Sequence, residues 1–179
     1  MRHLPSLPRQ RGVTLVEAAV ALAVAAIAAS TAAPGLQDLI ARKRLEGTAA
    51  QLATDLQTVR TEAVARNAPL RISFHADPGG SCYLVHTGAK ALCSCNAAVP
   101  GACTGDAVLV KAVYLPAAQR VAVAASSGSI LFDPVHGTST PAATARVTGV
   151  PGAIHHVVNV MGRVRTCSPE GRIAGYRVC

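Results

Sequence analysis

Apolar positions change their period twice along this chain, and each change marks a different element. Residues 13–33 form a nearly continuous apolar run of 21 residues in which Glu17 is the only charge. As a helix such a run spans about 30 Å, the thickness of a bilayer's hydrocarbon core. Beyond Pro34 the pattern loosens: Leu45, Ala49, Leu52, Leu56, Val59 and Ala63 recur at alternating steps of four and three, one stripe of an amphipathic helix. Its polar face includes Arg42, Glu46, Gln57, Glu62 and Arg66, with Glu62 and Arg66 in the favourable i,i+4 order. Asn67 and the Ala68-Pro69 pair end it, because the residue before a proline is driven out of the helical region. From Leu70 the apolar runs become short and β-branched, separated by Gly, Pro, Ser and Asp. Strands are expected at 70–75, 81–86, 107–115, 120–125, 129–133, 153–161, 163–167 and 173–178, and 134–152 reads as a loop with one short strand at 145–147. The fold class this predicts is α+β: a long N-terminal helix, one half membrane-spanning and one half amphipathic, packed on an antiparallel β-sheet domain.

The first apolar run differs from a cleaved secretory signal. It begins directly after Gly12, and the leader before it carries Arg2, Arg9 and Arg11 with no acid, a bias that holds the N-terminus in the cytoplasm. A secretory peptidase cuts beyond the apolar run and removes it; here the cut has to precede it. Glu17 is costly at mid-span, roughly 2.5–3.5 kcal/mol on insertion scales, unless it finds a partner. Cleavage after Gly12 exposes an amine at Val13, one helical turn from Glu17 in its own chain and within reach of a neighbouring one.

Gly12, Thr14, Leu15 and Glu17 match the leader motif of the type IV pilin and type II secretion pseudopilin family, which the chain resembles. Val13 stands where that family usually has Phe, and Pro34 falls where many pilin helices carry a proline. The resemblance implies cleavage between Gly12 and Val13 by prepilin peptidase, N-methylation of Val13, and filament assembly with other pilins or pseudopilins through the helix and Glu17. It divides the chain into a leader at 1–12, a membrane and filament-core helix at 13–34, an amphipathic helix at 35–67 and a β-rich domain at 68–179. The expected location is the inner membrane, spanned once, with the C-terminal domain in the periplasm, and later a pilus or pseudopilus. The alternative is a generic signal anchor.

Composition sharpens this in two ways. The formal charge of +8 falls to +5 once the three leader arginines are set aside, which favours anionic partners. Aromatic residues are 3% of the chain and Trp is absent, so a surface that stacks bases on aromatic rings is hard to build. Ser129-Ile130-Leu131-Phe132-Asp133-Pro134 with Gly137-Thr138, followed later by Gly162-Arg163-Val164-Arg165, resembles the GspH/FimT branch of minor pilins and pseudopilins. FimT-like members with a Gly-Arg-x-Arg tail are associated with DNA binding during uptake, and the resemblance carries that role to Gly162, Arg163 and Arg165. Residues 160–179 hold four arginines against the single acid Glu170, which adds Arg172 and Arg177 on charge alone. Such binding is expected to be phosphate-dominated and indifferent to sequence. The competing expectation is a GspH-like subunit with a purely structural role in a secretion pseudopilus or a pilus.

Six cysteines in an exported chain favour disulfides over thiol chemistry. Cys167 and Cys179 bracket the tail, and a hairpin about Gly88-Ala89 sets Cys82 opposite Cys95 and leaves Cys93 for Cys103, one of 15 possible connectivities. A zinc knuckle built from those last four is the alternative, although the compartment and the spacing disfavour it. His155 and His156 point to opposite faces of a strand, and His75, His86 and His136 are expected on the surface near turns. The nine acids are dispersed and no nucleophile elbow, phosphate loop or metalloprotease helix occurs, so neither catalysis, a cofactor nor a metal is expected.

Overall fold

A computed structural model of the chain describes Gly12, residues 14–171 and residues 173–179. Helix α1 covers Leu15–Ala65. Two compact units divide it, Met1–Asp38 and Leu39–Cys179, so its second part belongs with the strands. There the stripe is the buried side: Leu45, Ala49, Leu52, Leu56, Val59 and Ala63 are all at most 2% exposed. The end of α1 is set by Asn67, whose left-handed φ of 48° lets the Ala68 N–H reach the Ala63 carbonyl at 3.1 Å and the Asn67 N–H reach that of Val64 at 3.1 Å. These two bonds satisfy carbonyls that a helix end otherwise leaves open.

Strands follow in the order β1 (Leu70–Asp77), β2 (Gly80–His86), β3 (Cys93–Ser94), β4 (Ala102–Cys103), β5 (Leu109–Pro116), β6 (Val121–Ala125), β7 (Ser129–Phe132), β8 (Ser139–Thr140), β9 (Ala143–Gly149), β10 (Gly152–Val158) and β11 (Val164–Cys167). They form an antiparallel five-stranded sheet ordered β5-β2-β1-β7-β8, a four-stranded sheet ordered β11-β10-β9-β6, and the small pair β3-β4. Inward residues of both large sheets, among them Ile72, Tyr83, Ile130, Phe132, Val147 and Ile154, share one core with the α1 stripe. A second small core of Cys82, Leu84, Cys93 and Cys95 lies on the other face of the first sheet.

Three expectations fail locally. The segment 134–152 is not mainly loop: β9 is a full interior strand, with Ala143, Ala145 and Val147 inward and Thr144, Arg146 and Thr148 alternating outward. Its alternation is weak because two of its three inward positions are alanine, which is depleted in strands, and it lies between the Gly- and Pro-containing stretches 137–141 and 149–152. Residues 173–178 form no strand; the tail makes one bridge, Ser168 to Val178. Gly171 and Gly175, at φ of 63° and 94°, bend it away from extended geometry. His86 is fully buried instead of exposed, with Nε2 2.9 Å from Ser73 Oγ and Nδ1 2.8 Å from the Thr87 carbonyl. It shares a strand face with Cys82 and Leu84, the face closed over by the small disulfide core.

Two polar groups also lie inside. Asp55 is 5% exposed on α1 and accepts from Tyr83 Oη at 2.7 Å, Lys111 Nζ at 2.6 Å and Gln51 Nε2 at 3.0 Å. Burial, and then the Asp55 carboxylate, push the Tyr83 phenol above its ordinary pKa. His156 on β10 is fully buried; its Nδ1 lies 2.9 Å from Thr166 Oγ1, and its Nε2 makes no hydrogen bond. Burial lowers its pKa to about 4, with the Ala49 backbone acting in the opposite direction and His155 in the same one.

Because the folded His156 binds its proton less readily than the unfolded one, its stabilising effect is full above the ordinary value near 6.5 and is lost as pH falls toward about 4. Denaturant melts at pH 7.5 and 4.5 are expected to differ by about 2–3 kcal/mol from this group alone, with His86 acting in the same sense. The difference should shrink in a His156→Asn variant; an unchanged pH dependence would assign it to other groups.

Candidate functional site

Gly162-Arg163-Val164-Arg165 lies at the turn between β10 and β11, and β11 is the edge of the four-stranded sheet. The turn is tied at several points. The Gly162 N–H donates to the Asn159 carbonyl at 2.8 Å, Asn159 Oδ1 accepts from the Arg163 N–H at 2.9 Å, and the Asn159 N–H reaches the Arg163 carbonyl at 3.1 Å. Gly162 is buried at φ 69°, and any Cβ there would collide with the Gly137 carbonyl oxygen. That oxygen already accepts from Arg60 Nε of α1 at 3.0 Å. Gly162 therefore lets two turns and the helix meet at one point, which a larger residue prevents. It places the arginines and does not itself face a ligand.

Arg163 and Arg165 are exposed, and two-residue alternation turns them to the same side, away from the core. Val157 faces Arg165 across the ladder, and His155 faces Arg146 on β9. The outward face thus carries Arg146, Arg163 and Arg165, and none of β6, β9, β10 or β11 contains a carboxylate. Among the described residues no ion pair engages these three arginines. Burial first, and the Arg146 cation second, hold the His155 pKa below its ordinary value, so the imidazole is neutral at pH 7. Arg146 is the residue that sequence reading missed. Its signal was the Thr144-Arg146-Thr148 alternation, hidden inside a supposed loop.

The remaining tail residues divide. Arg177 is exposed, and its carbonyl accepts from the Ser168 N–H at 2.8 Å, which puts it about 10 Å of strand beyond Arg165. Arg172 lies outside the described residues. Ile173 is buried in the main core, and the Ala174 carbonyl accepts from Arg42 Nη2 at 3.1 Å. Cys167–Cys179 closes the tail, while Cys82–Cys95 and Cys93–Cys103 tie 88–103 across the first sheet. The route differs from the expected hairpin about Gly88-Ala89: β5 occupies the place beside β2, Cys82 sits in register with Tyr114, and Cys93 pairs with Cys103 across β3-β4.

At the other end of the chain, in the unit Met1–Asp38, Thr14 caps α1: its Oγ1 accepts from the Glu17 N–H at 3.3 Å. Thr14-Leu15-Val16-Glu17 has the Thr-x-x-Glu spacing of a capping box, a function for the motif's threonine that sequence reading did not assign. Gly12 is exposed ahead of the helix, and Val13 lies outside the described residues. Leu15, Val20, Leu22, Val24 and Ile27 are all more than half exposed around the helix. Among the described residues no single helix is long and apolar enough to cross a membrane, whereas Leu15–Ser30 and Gly35–Ala65 taken together meet that test by length and composition.

A family profile described as type II transport protein GspH matches residues 48–162, and one described as the prokaryotic N-terminal methylation motif matches residues 7–33. The chain belongs to the GspH family. As a GspH-type chain it is a minor pilin or pseudopilin, with the α+β pilin architecture of a long helix ahead of an antiparallel sheet domain. Crystal structures of the type IV minor pilin FimU from Pseudomonas aeruginosa strain PAO1 are similar to it. One, in space group P21, matches at 18% identity over 69% of this chain and 88% of that one, with a TM-score of 0.50. The other, in space group P65, matches at 16% identity over 68% and 90%, with a TM-score of 0.48. The first of these shows the fold. A search of curated proteins finds no match. The GspH match ends at Gly162, directly before the arginine pair.

Gly162→Ala puts a Cβ at a left-handed position and into the Gly137 carbonyl, so it is expected to cost about 2 kcal/mol or more in a denaturant melt. Arg163→Gln, which is exposed, should change stability by less than about 0.5 kcal/mol.

Proposed function

We propose that this GspH-type minor pilin is a filament subunit that binds DNA without sequence preference through the outward face of its four-stranded sheet. The precursor spans the inner membrane once through 13–34. Prepilin peptidase cuts it after Gly12, Val13 is N-methylated, and the helix with Glu17 joins the subunit to other pilins. The apolar residues exposed around Leu15–Ser30 support burial of that segment in lipid or against partner helices. Thr14 caps the helix where it begins at Leu15, shortly after Gly12.

The observation that carries the DNA reading is a face with Arg163, Arg165 and Arg146 exposed and no carboxylate on its strands. Guanidinium groups on a rigid ladder donate to phosphate oxygens with little further ordering. Arg177 extends the same charge, and Arg172 adds a further cation to the tail's sequence. Among the described residues no recognition helix accompanies them, so the phosphate backbone supplies most of the affinity. Repetition along a filament multiplies a weak contact, and the biological role that fits is capture of DNA for uptake. A second reading, a purely structural subunit of a pilus or secretion pseudopilus, is favoured by Gly162: the one residue of the tail motif inside the family match packs against Gly137 and serves the fold.

Two measurements test these steps. Full-length chain in detergent micelles is titrated onto labelled duplex DNA across a salt series, beside Arg163→Gln/Arg165→Gln. The double variant should bind more weakly with a salt slope shallower by roughly two, and Arg146→Gln should remove about one more. Equal binding by wild type and double variant would give the structural reading the lead. Separately, mass spectrometry of the mature chain should find methylated Val13 at its N-terminus, and a bulky substitution at Gly12 should leave the leader attached.

A further inference from the structure

The tip of the β10–β11 hairpin is apolar. Val160 and Met161 are 60% and 62% exposed, in a turn where polar residues are the ordinary choice. Their backbone is held from both sides. The Val160 carbonyl accepts from the Ser139 N–H at 2.9 Å, Ser139 Oγ donates to the Asn159 carbonyl at 2.6 Å, and Gly162 is seated against Gly137 and Arg60. Together they form a stiff knuckle of two apolar side chains, and Arg163 begins the cation row two residues beyond Met161.

Size and charge decide what such a knuckle meets. A stable protein interface buries about 800 Å² per partner and 20–30 residues on each side, far more than two side chains supply. Proteins that bend DNA, by contrast, insert just such apolar wedges, Met, Leu and Ile among them, between base steps, with cations on the flanking phosphates. The continuity of Met161 with Arg163 and Arg165 on one hairpin matches that pairing of wedge and clamp.

We propose that Val160 and Met161 wedge against DNA bases at unpaired or easily unstacked positions while Arg163 and Arg165 hold the adjoining phosphates. The inference rests on the DNA reading above and adds the feature of DNA that the site selects. Aliphatic side chains stack poorly, so the wedge gains little on an intact duplex and most where the stack is already open.

The test uses full-length chain in detergent micelles and two labelled duplexes, identical except for a central mismatch that carries 2-aminopurine. Wild type is expected to bind the mismatched duplex about tenfold more tightly and to raise the 2-aminopurine emission as the base unstacks. Val160→Ser/Met161→Ser, with Met161→Ala as a milder check on folding, should keep matched-duplex binding within about twofold and lose both the preference and the emission change. Wild type with equal affinity for the two duplexes overturns the wedge and leaves the arginine reading standing. A variant that retains the preference overturns it as well, as does one that keeps all DNA binding but no longer associates with a second pilin-like chain. Absence of binding to either duplex overturns the wedge and the DNA reading together.

Discussion

Burial of the α1 stripe is the constraint on which the rest of the globular unit depends. Leu45, Ala49, Leu52, Leu56, Val59 and Ala63 fill the core shared by the two large sheets, and the leucines and valine each contribute about 1.5–3 kcal/mol when removed from water. The two sheets share no strand ladder; the Val123 N–H of β6 donates to Ser81 Oγ of β2 at 2.8 Å and Ser139 of β8 bonds to the β10–β11 turn, while the helix stripe packs into the core common to both. Asp55 adds direction to a contact that is otherwise only greasy: its bonds to Tyr83 of β2 and Lys111 of β5 suit one rotation of the helix over those strands, and Gln51, one turn earlier on α1, supplies a third donor. A buried carboxylate left without those donors is strongly destabilising, which penalises other registers.

The same docking reaches the basic face. Arg60 lies one residue past Val59 of the stripe, and its Nε holds the Gly137 carbonyl against which Gly162 packs. The β10–β11 turn is therefore positioned by the helix as well as by its own hydrogen bonds. On the proposed reading this separates two duties in one chain. The apolar start of α1 serves the membrane and the filament, and the far end of the helix sets the angle at which Arg163 and Arg165 meet a ligand.

Disulfides stiffen what the core does not cover. Cys82–Cys95, Cys93–Cys103 and Cys167–Cys179 close loops with separations of 13, 10 and 12 residues. Loops of this size remove roughly 3 kcal/mol of chain entropy each from the unfolded state on the polymer estimate. One result is the cover over His86, Leu84 and Cys82. The other is a tail pinned beside β11, with Ile173 in the core, in place of the extra strand its sequence suggested.

Much of this was legible before any coordinates. The α+β class, the position of the long helix and all six residues of its buried stripe follow from hydrophobic period, because a core-facing helix repeats its apolar positions regardless of what it packs on. The leader motif was equally plain, since its charge, glycine, threonine and glutamate are local. What tertiary structure decided was every matter that depends on a partner across the sheet. Strand β9 has small alanines at two of its three inward positions and a glycine at its end, so it carries little apolar signal of its own and is fixed by β6 and β10 on either side, which is why Arg146 was not placed beside Arg163 and Arg165. Burial of His86, His156 and Asp55 was hidden because a polar side chain in sequence carries no sign of the donor that will satisfy it. Gly162 could be named from its motif, but its part in the fold comes from Gly137 and Arg60, residues 25 and 102 positions away in the chain and in contact only once the helix has docked.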